Sequence, residues 1–270
     1  MSFIVLLAKI YIIILMFRIV ATKQELNFNP VGRFLATATN PILPKNGGNT
    51  LLVLYIFILV IGTSLLSGIS SSFQEFVVLS KTTFINYLKF FMLFFIVAII
   101  LGSFGNRPIG GGFVSFFFRI GYPWVKLTRI FIPINSGKII FPAIILVYLI
   151  YVCLSFLLNI VFNVILFKDP LNVLNILLFS LGDGAIKVFD LAYYMSIVIL
   201  VRALISWVSP DPRNIVVQLI YTISEPILEP FRKIIPPLGI FDISAMVAML
   251  LLFFIGNMGQ YLINKLMTLI

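Results

Sequence analysis

The chain has 270 residues, 61% of them apolar and only 10% charged, with 19 Lys and Arg against 9 Asp and Glu, no histidine and one cysteine. A mean hydropathy of +1.16 excludes a soluble single-domain enzyme, because too little polar surface exists to face water, and it equally excludes a disordered tail. The missing histidine and lone cysteine remove the usual general base, the commonest metal ligand, an internal disulfide, a zinc cage and an iron–sulfur cluster, so no cofactor is expected.

A helix needs about 20 mainly apolar residues to cross the hydrocarbon core. Six runs satisfy this, at 3–20, 50–68, 84–102, 139–163, 188–208 and 243–264. They show no period-2 alternation, so they predict helices and an all-α, polytopic membrane protein. The first run reads as a span rather than a signal peptide: residues 1–8 hold no basic side chain, Lys9 lies mid-run and no small-residue cleavage site follows. Residues 168–183 contain Asp169, Pro170 and several asparagines and follow an already long fourth span. They predict a separate interfacial helix, with a seventh crossing as the alternative.

Most of the basic residues fall after the first, third and fifth spans: Arg18, Lys23, Arg33 and Lys45; then Arg107, Arg119, Lys126, Arg129 and Lys138; then Arg202, Arg213, Arg232 and Lys233. Basic loops stay on the cytoplasmic side. Both termini are therefore expected on the outer, periplasmic side of a bacterial inner membrane. The net charge of +10 sits between apolar runs, which points to anionic lipid headgroups rather than nucleic acid.

A shift of 103 residues lays the third and fourth spans on the fifth and sixth without a gap. Ser103-Phe104 falls on Ser206-Trp207, Tyr122-Pro123 on Glu225-Pro226, Arg129 on Arg232 and Pro133 on Pro236. A fainter copy places Arg18, Val31, Phe34, Leu35 and Pro41 on Arg202, Val216, Leu219, Ile220 and Pro226, with one small gap. The chain thus reads as three tandem parallel helix–loop–helix units, at 1–68, 80–163 and 184–264. Each unit would bring an interfacial amphipathic loop to the same side.

In the third unit Ile215, Val216, Leu219, Ile220 and Ile223 form one helical stripe, with Arg213, Asn214, Gln218 and Glu225 elsewhere on the wheel. This predicts an amphipathic helix about three turns long in the headgroup plane, ended by Pro226 and Pro230. Pro236-Pro237 and Gly239 then predict a stiff turn. Asp242 is placed to cap the last span. The proline breaks give Glu225 and Glu229 no shared face. Asp183 and Asp190, beside Lys187, read as solvated charge.

Arg202, Ser206-Trp207, Glu225-Pro226-Ile227-Leu228, Pro230-Phe231-Arg232, Ile235-Pro236-Pro237 and Asp242-Ile243-Ser244 resemble the YggT (YlmG-like) family of small bacterial and plastid membrane proteins. The resemblance is strong over 197–254, moderate over 95–150 and weak over 15–68. The second unit departs from the motif, with Ile99, Ile134 and Ile139 where Arg202, Pro237 and Asp242 stand in the third. Bacterial members look linked to osmotic tolerance and ion uptake, Gram-positive relatives to division genes, and plastid relatives to cytochrome maturation and nucleoid organisation. The resemblance therefore implies a non-enzymatic organiser or assembly factor, with an ion channel or transporter as the alternative.

Each motif residue has a physical reading. Arg202, near the end of its span, either snorkels to the headgroups or pairs with Asp242 across the hairpin. Trp207 suits the interfacial aromatic belt. Arg232 and Lys233 suit anionic headgroups or a cytoplasmic protein partner. Asp242 is a cap before it is a cation ligand. An oligomer is compatible with the sequence.

Overall fold

The computed structural model describes residues 2–41, 49–68, 72–103, 112–133, 137–166, 172–208, 211, 214–235 and 243–269. Regular structure among them is entirely helical. Six helices are long and apolar enough to cross a membrane: α1 (Ser2–Val20), α4 (Asn49–Leu66), α5 (Phe73–Gly102), α7 (Ile140–Leu166), α8 (Val173–Val208) and α10 (Ile243–Met267). Between them lie shorter helices: α2 (Lys23–Phe28), α3 (Pro30–Thr39), α6 (Gly112–Phe131) and α9 (Ile215–Ile234). A 3₁₀ turn at Gly137–Ile139 leads into α7.

Among the long helices α8 packs most extensively with α10 and α5 with α7, while α4 packs equally against α1 and α5, and α7 also packs against α8. α5 is the hub, with 44% of its apolar window buried. Large apolar side chains face outward along the spans, including Phe57, Phe141 and Phe254 at 60%, 73% and 62% exposure. So much exposed apolar surface suits lipid and not water. In lipid, burying such groups between helices gains little over a lipid tail, so close packing and hydrogen bonds hold the helices together. α10 illustrates this. Its buried face is Ser244, Ala245, Ala248, Gly256 and Gly259, a seam of small residues against α8. A Cβ at Gly259 would stand 2.2 Å from the Phe189 ring. Elsewhere Tyr87 of α5 is fully buried and shares a 2.7 Å hydrogen bond with Thr63 of α4.

The connecting helices gather at one end of the bundle. Phe17 of α1, Val31 and Leu35 of α3, Phe94 and Leu101 of α5, and Phe116, Phe117 and Ile120 of α6 form one core, and Leu219 and Ile223 of α9 pack against it. α2 begins with a capping box, in which the Thr22 side chain accepts from the Glu25 N–H and Glu25 accepts from the Thr22 N–H. Asn29 caps α3 and Asn214 caps α9, each accepting from the N–H two residues on.

Three expectations from the sequence need correction. The third span begins at Phe73, not near 84, because Ser72 caps it and no residue breaks the helix before Gly102. Residues 173–183 are neither a separate interfacial helix nor a seventh crossing: they are the first turns of α8, and residues 168–171 lie outside the described residues. At 36 residues α8 is about 54 Å long, well beyond a ~30 Å hydrocarbon core, so it must tilt or project. Finally, Pro226 and Pro230 do not stop α9, which continues to Ile234. Each internal proline costs roughly 3 kcal/mol in a free helix. Here the segment after Pro226 is anchored by Leu228, fully buried among Ile199, Ala245 and Ala248, with Ile227 and Phe231 packed alongside.

Candidate functional site

Three of the motif residues, Arg202, Glu225 and Arg232, converge where the last turns of α8 meet α9. Arg202 is only 7% exposed. It donates through Nη1 to Ser224 Oγ at 3.0 Å and through Nη2 to Glu225 Oε2. Its guanidinium lies 4.6 Å from the centre of the Tyr221 ring, within cation–π range. The other oxygen of Glu225 accepts from Arg232 Nη1 at 2.8 Å. One carboxylate therefore joins two arginines, one on each helix. Such a bidentate arrangement holds a buried guanidinium that would otherwise be costly at this depth. Tyr221, Ser224 and Glu225 share the face of α9 turned to α8, and the continuation of α9 through Pro226 brings Arg232 to the same carboxylate.

Arg202 is thus buried against α9, and its carboxylate partner among the described residues is Glu225; Asp242, the expected partner, lies outside the described residues. Glu225 and Glu229 do share one continuous helix, and Glu229 meets Lys233, whose Nζ is 3.1 Å from Oε1 and whose side chain remains 71% exposed. Pro226 lies inside α9. Trp207 belongs to the last turn of α8, with its side chain outside the described residues, as are Pro236, Pro237 and Asp242 altogether.

At the preceding connector the crossing of α5 and α6 is built differently. Gly121 of α6 stands opposite Ala98 and Ile99 of α5, where a Cβ would be 2.7 Å from the Ala98 carbonyl oxygen and 2.9 Å from Ile99 Cα. α6 is held instead by Arg119. It donates to the Val20 carbonyl at 2.6 Å and forks onto Glu25, with Nη1 at 2.8 Å from Oε2 and Nη2 on Oε1. The Arg119 hydrogen bond, helped by Thr22 against partial burial, holds the Glu25 carboxyl down at about 2. Beyond this clamp α6 exposes Lys126, Arg129, Tyr122, Ile130 and Phe131. At the end of α1, Arg18 has a buried Nη1 with no partner among the described residues.

A second polar assembly, absent from the sequence reading, lies within the bundle. Lys89 of α5 meets Asp183 of α8 at 2.7 Å, and Tyr151 of α7 donates to the same carboxylate at 3.0 Å. Asp190 is 9% exposed, accepting from Gln260 of α10 at 2.7 Å and from Lys187. Lys9 of α1 lies over the Tyr87 ring, within Coulombic range of Lys89 and Lys187. Asp183 and Asp190 are therefore bundle-forming groups, not solvated charge. Their i, i+4, i+7 spacing with Lys187 was visible in the sequence, whereas Lys89 is 94 residues away from its partner.

Six apolar helices with lipid-facing surfaces define a multi-pass helical membrane protein. Residues 185–263 match the sequence model of the CCB3/YggT family. An uncharacterised protein of Haemophilus influenzae is 31% identical over 105 residues, 38% of this chain and 54% of that one. An uncharacterised protein of Pseudomonas aeruginosa is 42% identical over 67 residues, 25% of this chain and 31% of its own length. The uncharacterised protein YggT of Escherichia coli K12 is 40% identical over 62 residues, covering 23% and 32%. The chain thus spans about half the length of the first of these relatives and about a third of the others. No solved structure matches significantly.

Proposed function

We propose that the protein is a non-enzymatic organiser of the bacterial inner membrane, which lays α6 and α9 in the cytoplasmic headgroup plane to hold anionic lipid and so present a fixed face to a protein partner. In this reading the chain is three tandem parallel hairpins with both termini outside. The observation behind it is that α3, α6 and α9 meet in one layer, while α6 and α9 turn Lys126, Arg129 and Lys233 outward beside exposed Phe118, Tyr122, Ile130 and Ile234. Basic groups flanked by apolar ones are the composition of an interfacial helix. The 103-residue relation supports the repeat, because Gly121 against Ile99 and Ser224 against Arg202 are the same pair of positions.

Each basic residue at an anionic leaflet contributes about 1 kcal/mol. Neutralising Lys126, Arg129 and Lys233 together to Gln should therefore weaken phosphatidylglycerol retention, read by native mass spectrometry, roughly 100-fold. Unchanged retention would count against the reading. The buried Lys89–Asp183–Tyr151 group favours a second reading, an ion channel or transporter, since intramembrane ionisable residues mark ion pathways. Proteoliposomes showing no flux of several ions would remove it.

A further inference from the structure

At the end of the bundle remote from α6 and α9 lies a cleft of about 360 Å³ between α5, α7, α8 and α10. Its polar lining is Lys81 of α5, Asn159 and Asn163 of α7, and Asn175 of α8; its walls are Ile176, Leu178, Phe179 and Met267. Lys81 is half-buried and forms no ion pair among the described residues. The donors that converge there are an ammonium and side-chain amides, with no carboxylate among the described lining residues.

The cleft also opens onto a file of polar groups. Asn159 is 5% exposed and donates to Ser180 Oγ at 3.3 Å and, at its limit, to Ser155 Oγ at 3.5 Å. Ser155 hydrogen-bonds Tyr151, which donates to Asp183, the partner of Lys89. Among the described residues this file runs from Lys81 in the cleft to Lys89 and carries one carboxylate, Asp183, already paired with Lys89. The excess of positive charge, in low-dielectric surroundings, attracts anions and repels cations.

We propose that this cleft binds a singly charged anionic group, of which a weakly hydrated inorganic anion from solution and a lipid phosphodiester are the two sources. Three features select that chemistry: the Lys81 ammonium, with no ion pair among the described residues, supplies the counter-charge, the amides of Asn163 and Asn175 supply neutral donors, and the apolar walls disfavour an ion that keeps a large water shell. The site does not depend on α9 or on the headgroup reading above.

The test uses full-length protein, delipidated in a neutral maltoside detergent. Sodium nitrate and sodium bromide are titrated against its thermal unfolding, and phosphatidylglycerol retention is measured separately by native mass spectrometry. For a solution anion, the parent shows saturable stabilisation, Lys81→Gln shifts the midpoint concentration at least ten-fold and Lys81→Arg restores it. For a lipid source, nitrate and bromide act equally on parent and variant, and Lys81→Gln loses phosphatidylglycerol while the Lys126, Arg129 and Lys233 variants keep their share at this site. Asn175→Ala, at an exposed position, weakens binding in either case and serves where Lys81→Gln fails to fold. Parent and both variants responding alike to all three probes would overturn the proposal.

Discussion

Glu225 accepts from Arg202 of one helix and Arg232 of its own, and the two contacts differ in environment. The Arg202 side chain is 9% exposed and that of Arg232 is 31% exposed. Removing one partner of a buried pair strands the other charge, whereas an exposed pair is screened by water. Glu225→Gln should therefore cost about 3 kcal/mol, and Arg232→Gln less than about 1 kcal/mol, in denaturant unfolding in detergent. Equal costs would show that Arg202 does not depend on this carboxylate. The residue types were plain in the sequence. Their pairing was not, because Arg202 and Glu225 are 23 residues apart and meet only through the packing of α9 on α8.

At the scale of elements, the connectors are fastened to the spans by single polar clamps, and the α2–α6 clamp is sensitive to pH. Glu25 titrates at about 2 in the folded protein against an ordinary 4.5. A carboxylate with a lowered folded value contributes its stabilisation above the unfolded value and loses it as pH falls toward the folded one. Arg119 is 30% exposed, so solvent screening limits the contribution to about 1–2 kcal/mol. The unfolding free energy of the parent should exceed that of Glu25→Gln by this amount at neutral pH. The gap should shrink between about pH 4.5 and 2. A gap independent of pH would mean that Arg119 is held by the Val20 carbonyl alone. Long elements also explain where the sequence misled. Lys81, Asp183 and Lys187 look like the edges of spans, yet they lie within α5 and α8 because the neighbouring helices supply their partners or a polar cleft.

For the whole molecule, the convergence of α3, α6 and α9 on one core predicts a topology. In a chain whose Cys153 is replaced by Ala, single substitutions Thr37→Cys, Lys126→Cys and Lys233→Cys should all label with a membrane-impermeant maleimide from one face. Thr82→Cys and Asn175→Cys should label from the other. Labelling of the first three positions from opposite faces would break the three-hairpin arrangement.

The sequence by itself determined the six crossings and the amphipathic character of α6 and α9. A lipid core leaves no alternative for long apolar runs, and helical periodicity is a local property. It also carried a family resemblance strongest over 197–254, within the segment that matches the family model. Tertiary structure decided what depends on groups far apart in the chain: Arg119 finding Glu25, Lys89 finding Asp183, and Asp190 finding Gln260. In a low-dielectric interior a charge is tolerated only beside its partner, and that partner is chosen by packing, which no local pattern records.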